Sequence, residues 1–124
     1  MTPTRLAAID PEAAIDAGKA MPDAQFLDLV VDAFQVLADR TRTKILYALS
    51  RRPLCVRDIA IAVGSSESAI SHQLRLLRER RLVKAVRRDG NQIEYRLDDH
   101  HVANLFREAE YHADHVRKGL PDHP

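Results

Sequence analysis

The chain has 124 residues, 45% of them hydrophobic and 30% charged, with a net charge of +1, which predicts a single globular domain without a membrane span. Its one cysteine excludes an internal disulfide and a thiolate-rich zinc site within one chain. The first residues do not show the basic segment and apolar core of a signal peptide, so none is expected. We therefore expect a cytoplasmic protein with no membrane partner.

The first 22 residues show little sustained hydrophobic periodicity and contain three prolines, which predicts a flexible N-terminal arm over 1–22. Within this arm, Pro11 lies where proline favours the start of a helix, and Asp10 precedes it as an N-cap, so we expect one short helix there. A single domain is then expected over 23–119, followed by a C-terminal tail over 120–124.

The expected domain begins with a series of helices. From Asp23 onward, apolar residues recur at three- and four-residue intervals, which predicts an amphipathic helix. Asp39 or Thr41 can cap the next helix. Its inner face carries three apolar residues, Ile45, Leu46 and Leu49. Pro53 separates that helix from a short one over about 56–63.

A polar and basic helix is predicted next. Gly64 and the two serines after it break the chain, and Ser65 or Ser66 can cap a helix over about 67–80. The residues of this helix expected to be buried are Ile70, Leu74 and Leu77.

The chain then changes to a strand pattern. Residues 82–86 and 92–97 are predicted strands, and Asp89-Gly90 between them is a strong hairpin signal because glycine readily takes a positive φ. Asp98 or Asp99 can cap a last helix, which ends near Lys118 before a glycine. This order predicts a mainly α fold with a small β-hairpin, the winged helix-turn-helix.

Charge is distributed unevenly along the chain. Between Arg40 and Arg96 there are 14 Lys and Arg against 5 Asp and Glu, whereas the two flanks hold 5 Lys and Arg against 13 Asp and Glu. A solvated basic face is one interpretation of this charge. A nucleic-acid footprint is the other, because Lys and Arg release counterions from phosphates, and it agrees with the predicted fold.

The predicted helix over 67–80 is expected to enter the major groove, where short polar side chains allow a close approach to the bases. Arginine can pair with guanine and glutamine with adenine. The candidate contacts from this helix and its cap are Ser66, Ser68, Ser71, His72, Gln73 and Arg75. The hairpin tip is expected to reach phosphate or the minor groove. Its candidates are Arg87, Arg88, Asn91 and Gln92.

Three segments resemble the ArsR/SmtB family of metal-responsive repressors: AFQVLADRTR over 33–42, LCVRDIA over 54–60 and SESAISHQL over 66–74. The resemblance extends over about 23–119. It implies a homodimer, formed through N- and C-terminal helices, that binds an inverted repeat in double-stranded operator DNA and dissociates when a metal ion binds. A two-fold protein matches a two-fold operator.

The predicted last helix holds two pairs of metal-ligand residues. The four, called here the ligand set, are Asp99, His101, His112 and His115. Three-residue spacing puts the second pair on one face. The two pairs, however, lie about 16 Å apart along the axis, too far for one ion. Two antiparallel copies of the helix would bring the first pair of one subunit to the second pair of the other, which gives two inter-subunit sites per dimer. The resemblance implies the same ligand set.

Other potential ligands are weaker. His100 points off the shared face and is expected to be exposed, while His123 either is disordered or adds an outer ligand. The family also has a cysteine site, but Cys55 is the only cysteine, so this site is absent and soft thiophilic ions are disfavoured. Cys55 is expected to be a small buried apolar residue.

Three imidazoles and a carboxylate suit a zinc ion, and cobalt(II) can adopt the same tetrahedral geometry. Residues 110–115 and the tail also resemble the nickel and cobalt sensors of the family, in which extra ligands complete six-coordination. Arg117 stands where a further histidine would be needed. The sequence therefore favours zinc over nickel and cobalt.

The resemblance also implies a hydrogen bond from a ligand histidine to a backbone carbonyl near Arg81, at the end of the DNA-binding helix. Three alternatives remain: a winged-helix regulator that senses redox change or another ligand, a metalloenzyme, and a metal buffer. No base or nucleophile accompanies the ligand set, which disfavours an enzyme, and a buffer leaves the basic helix unexplained. We expect a repressor and no catalytic activity.

Overall fold

The computed structural model describes residues 6–119, so predictions for residues 1–5 and for the tail, including His123, lie outside the described residues. The chain forms two compact units, divided between Phe34 and Gln35. The arm, domain and tail boundaries expected from the sequence stay predictions. Within 6–119, no helix is both long and apolar enough to cross a membrane.

The first unit contains helix α1 (Pro11–Lys19) and most of helix α2 (Ala24–Leu37). Asp10 caps α1, because its Oδ1 accepts a hydrogen bond from the Ala13 N–H at 3.1 Å, as the sequence predicts. In the same way, Asp23 Oδ1 accepts from the Phe26 N–H at 2.9 Å at the start of α2. No residue of α1 is buried.

The second unit contains the end of α2 and four further helices: α3 (Arg40–Arg51), α4 (Val56–Val63), α5 (Glu67–Glu79) and α6 (His100–Lys118). Side-chain caps start three of them and settle the alternatives that the sequence left open. Asp39 Oδ2 accepts from the Arg42 N–H at 2.9 Å, Ser66 Oγ from the Ala69 N–H at 3.1 Å, and Asp99 Oδ1 from the His101 N–H at 2.8 Å.

Three antiparallel strands complete this unit, β1 (Leu54–Cys55), β2 (Val83–Arg87) and β3 (Ile93–Leu97), in the order β1-β3-β2. The predicted hairpin is formed by β2 and β3. Its turn is a single 3₁₀ turn over Asp89–Asn91, in which Gly90 has φ 72° and Asn91 has φ 66°. Strand β1 pairs with β3 and was not predicted, because two residues are too few to show a strand periodicity.

The core of the second unit lies between α3, α4, α5 and the sheet. The side chains with relative exposure below 2% are Ile45, Leu46, Ile59, Ile70, Leu74, Leu77 and Val83. All six apolar residues predicted for the inner faces of α3 and α5 are buried. Burial of each such side chain is worth about 1.5–3 kcal/mol. The fold is a winged helix-turn-helix, mainly α with a small antiparallel sheet.

Candidate functional site

Helix α5 presents one polar face to solvent. Gly64 ends α4 in the left-handed conformation, with φ 79°, and so allows the chain to turn sharply into α5. Positions 68, 71, 72 and 75 have the helical spacing that places them on one face. The residues of this face, called here the reading face, are Ser68, Ser71, His72 and Arg75, and all are exposed. The opposite face is in the core, so the fold holds the reading face outward.

Two other residues predicted to contact DNA have different positions. The Ser66 hydroxyl oxygen caps α5, so its polar atom already has a structural role. Gln73 lies off the reading face and is half-buried, and its Oε1 accepts a hydrogen bond from Arg42 Nη1 at 3.3 Å. The contact of Arg42 could not be predicted from the sequence, because nothing local to residue 42 indicates a contact with α5.

The hairpin tip is exposed at all four predicted positions, and its two arginines are held by neighbours. Arg87 Nη1 donates to Asn91 Oδ1 at 3.1 Å. Arg88 Nε donates to Glu94 Oε1 at 2.6 Å, an ion pair that neutralises part of the positive charge of the tip. The tip can therefore reach a phosphate, with Arg87 better placed than Arg88 to contribute net charge.

The first pair of the ligand set lies together at the start of α6. Asp99 Oδ1, which caps the helix, is also 3.0 Å from His101 Nδ1, and both side chains are exposed. The hydrogen bond from the His101 N–H, aided by the imidazole ring, holds the pKa of Asp99 below its ordinary value. A carboxylate and an imidazole are thus adjacent and accessible, which is the donor chemistry that a borderline divalent ion requires.

The second pair lies near the other end of α6. His112 is exposed and His115 is half-buried, with the Tyr111 ring 4.8 Å from the His115 ring between centroids. Asp114, between them, pairs with Lys118 Nζ at 2.9 Å and Arg117 Nη2 at 2.8 Å. The hydrogen bond from Lys118 and, to a smaller extent, the one from Arg117 lower the pKa of Asp114 below its ordinary value.

One chain does not bring the two pairs together, because α6 is continuous from His100 to Lys118. Over residues 6–119, no group of three or more His, Cys, Asp or Glu side chains is arranged to hold a metal ion. His100 is exposed, as predicted, and its ring stacks on that of His101 with centroids 4.5 Å apart.

Two further residues concern the packing around α6 and β1. The Tyr47 ring of α3 contacts the Phe106 ring of α6 at a centroid distance of 5.2 Å, and partial burial, with a contribution from Glu110, raises the pKa of Tyr47. Cys55 is a free cysteine in β1 that is half-buried, so the expectation of a buried residue was wrong. Its position in a short edge strand leaves part of the side chain accessible.

Comparison with known proteins agrees with this geometry. Residues 39–85 match the model of the bacterial regulatory protein, arsR family. The transcriptional repressor SmtB homolog of Synechocystis sp. is 46% identical over 103 residues, which cover 81% of this chain and 75% of that protein.

Two solved structures are similar throughout the fold. The homodimeric winged helix-turn-helix DNA-binding domain of Mb0332 from Mycobacterium bovis matches with a TM-score of 0.72 and 32% identity, over 85% of this chain and 98% of that one. The solution structure of apo-NmtR matches with a TM-score of 0.67 and 46% identity, over 85% and 88%. The chain belongs to the ArsR family of bacterial regulatory proteins, as a winged-helix DNA-binding regulator of transcription and not an enzyme.

Proposed function

We propose that this protein is a metal-sensing repressor that binds an inverted-repeat operator in double-stranded DNA as a metal-free homodimer and is released when zinc binds. Cobalt(II) and nickel(II) are the alternative inducers. A repressor acts where the chromosome is, so a cytoplasmic location is part of the proposal. The observation that supports it most directly is one chain with an outward reading face on α5 and two separated ligand pairs on α6.

The exposed apolar residues of two helices support dimerisation. In α6, Leu105 is 47% exposed, Tyr111 52% and Val116 69%. In the part of α2 that belongs to the first unit, Phe26 is 57% exposed and Leu29 63%. Such a density of exposed apolar side chains is typical of a surface that another chain covers. We propose that a second copy covers both helices, so that the dimer forms through the N- and C-terminal helices.

The spacing within α6 supports two inter-subunit metal sites. His101 and His112 are eleven positions apart, which corresponds to about 16 Å at 1.5 Å per residue, so a single helix cannot close the ligand set on one ion. An antiparallel second copy would supply the missing pair at each end. Three imidazoles and one carboxylate would then bind each ion, a donor set that suits zinc in a tetrahedral site.

Release from DNA follows from linkage. If the metal-bound dimer holds its two recognition helices at a spacing that does not match successive major grooves, metal binding lowers operator affinity, and DNA lowers metal affinity by the same factor. We propose the backbone near Arg81 as the contact between a ligand histidine and the end of α5. Arg81 lies two residues after the end of α5, beyond the C-cap Arg80, and has φ 59°, which fixes the direction of its peptide groups.

Two alternatives remain within the same class. A nickel- or cobalt-specific sensor would need further ligands from the tail, and Arg117, where a histidine would help, is instead paired with Asp114 at 2.8 Å. A winged-helix regulator that responds to a non-metal signal would leave the ligand set unused. Zinc explains the ligand set without additional residues, so we favour it.

The test uses an operator selected by the full-length protein from a randomised DNA library. Gel shifts measure its affinity without metal, with zinc, and with cobalt or nickel, for the wild type, His112→Ala and the matched control His100→Ala. We expect tight, salt-sensitive binding without metal, and zinc release of the wild type and the control but not of His112→Ala. Absence of salt-sensitive specific binding would refute the repressor, and release of His112→Ala equal to wild type would refute the metal site.

A further inference from the structure

One arginine connects the end of α2 to the side of α5. Arg42 Nε donates to the Val36 carbonyl oxygen at 2.7 Å, and Arg42 Nη1 donates to Gln73 Oε1 at 3.3 Å. Val36 is buried, at 5% exposure, and both Arg42 and Gln73 are half-buried. A single guanidinium group thus contacts the last turn of one helix and the middle of another.

The α2 end of this link follows from helix chemistry. The last carbonyls of a helix have no N–H partner within the helix and carry partial negative charge. Two side chains of α3 supply the missing donors: Arg42 to Val36, and Thr43 Oγ1 to the Leu37 carbonyl oxygen at 2.8 Å. The cation lies at the negative end of α2, where it is favoured. These two hydrogen bonds fix the end of α2 to the start of α3.

The α5 end constrains Gln73. A guanidinium can only donate hydrogen bonds, so the amide oxygen of Gln73 must face Arg42. On the helix, Gln73 is turned by about 100° from His72, the nearest residue of the reading face. Glutamine recognises adenine with its amide oxygen and nitrogen together, and here the oxygen faces the protein interior. The geometry therefore differs from the sequence-based interpretation of Gln73 as a base contact.

We propose that Arg42 is a positioning residue that couples the end of α2 to the recognition helix, and that Gln73 anchors this link and does not recognise a base. The inference rests on the proposed function, in which α2 lies in the dimer interface. A metal-induced change between subunits that displaces the end of α2 would act on α5 through the shared guanidinium. Coupling of this kind requires a rigid connection between the two elements, and the hydrogen bonds at Arg42 provide one.

The experiment compares four variants of the full-length protein on the library-selected operator. Arg42→Lys keeps the charge but loses the planar set of donors that spans two acceptors. Gln73→Ala removes the anchor, and the double variant completes a thermodynamic cycle. Arg51→Lys, at an exposed position of α3, is the matched control. For each we measure operator Kd with and without zinc, and the change in Kd for every single base-pair substitution in the operator.

We expect Arg42→Lys and Gln73→Ala each to weaken metal-free binding about five- to tenfold, and the double variant to be no weaker than either single one. The operator Kd of the zinc-loaded variants should stay within about twofold of the wild-type value. In the zinc-loaded dimer the link no longer holds α5 in the DNA-binding arrangement even in the wild type, so its loss changes little. Base-pair preferences should be unchanged, and the control should match wild type.

Three results would overturn the inference. Relaxed preference at one base pair in Gln73→Ala would make Gln73 a base contact. Additive losses of operator affinity in the double variant would mean that the two residues act independently. Equal losses of operator affinity with and without zinc would indicate a structural role alone. If Arg42→Lys fails to fold, Gln73→Ala still tests the inference, through its base-pair preferences and through the ratio of its operator Kd values with and without zinc. Wild-type protein without operator binding would instead refute the proposed function itself.

Discussion

Helices α5 and α6 are both amphipathic and belong to the same unit, but one chain stabilises them to very different extents. Helix α5 buries three of its 13 residues in the core. Helix α6 is longer, with 19 residues, and buries only Val102. Helix α5, proposed to contact DNA, is therefore held in place within a single chain, whereas α6, which carries the ligand set, leaves most of its apolar residues exposed.

The difference in burial between α5 and α6 is greatest in the second half of α6. Its first half is anchored by Val102 and by the contact of Phe106 with Tyr47. Beyond Glu110, the ion pairs described above join residues of α6 to one another, and exposed pairs of this kind contribute little stability. The fold of one chain therefore positions α5 by itself, and we propose that α6 reaches its functional arrangement only in a dimer. Three predictions test this contrast.

The largest effect is expected in the core of α5. Leu74 is 1% exposed, so Leu74→Ala should lower the free energy of unfolding by about 3 kcal/mol and abolish operator binding with it. Urea denaturation followed by circular dichroism measures the loss. Ile61→Ala, at a position of α4 that is 74% exposed, is the control and should change stability by less than about 0.5 kcal/mol. Similar losses in the two variants would mean that the core does not hold α5.

A smaller and different effect is expected from α6. Leu105 is 47% exposed and lies on the same helix face as His101 and His112. Leu105→Asp should raise the dimer dissociation constant more than tenfold, because the interface would bury an unpaired charge, while the core of each chain stays folded. Sedimentation equilibrium measures the dissociation constant. Ile61→Asp adds the same charge on α4 and should leave it unchanged; equal dissociation by both variants would contradict the proposed interface.

Features specified within a short segment could be predicted from the sequence. The residues 56–63 predicted for the short helix are those of α4, and Asp39, Ser66 and Asp99 cap helices as their residue types suggest. Such features depend on neighbours two to four residues away. The buried faces of α3 and α5 follow from the same periodicity.

Features that depend on distant residues could not be predicted. Strand β1 forms only because Leu54 meets Tyr95 of β3, and two residues hold no pattern of their own. The link between Arg42 and Gln73 joins residues 31 positions apart, so no local pattern indicates it, and the expectation that Gln73 contacts DNA stays a prediction. For the ligand set, spacing predicts which residues share a face of α6, but the proposed site also needs a second chain, whose position the spacing does not specify.

The smallest effect separates the two roles of Asp99, of which one belongs to the single chain and the other to the assembly. Its carboxylate caps α6 through the His101 N–H and is also a proposed metal ligand. Asparagine is an equally good N-cap but lacks the charge. We expect Asp99→Asn to unfold close to wild type at pH 7 and to bind zinc at least tenfold more weakly, whereas Asp99→Ala loses stability as well as affinity. Thermal unfolding and zinc competition titrations measure the two quantities.

The pH dependence of stability provides the control for this separation. The hydrogen bond from the His101 N–H lowers the pKa of Asp99 in the folded protein, so the stabilisation is fully present above the ordinary aspartate pKa. It is lost as the pH falls through the lower folded value. Wild-type protein should therefore lose its stability advantage over Asp99→Ala below about pH 4, while the difference between Asp99→Asn and Asp99→Ala persists. If the wild-type advantage were independent of pH, the carboxylate charge would have no part in the cap, and only the proposed metal-ligand role of Asp99 would depend on that charge.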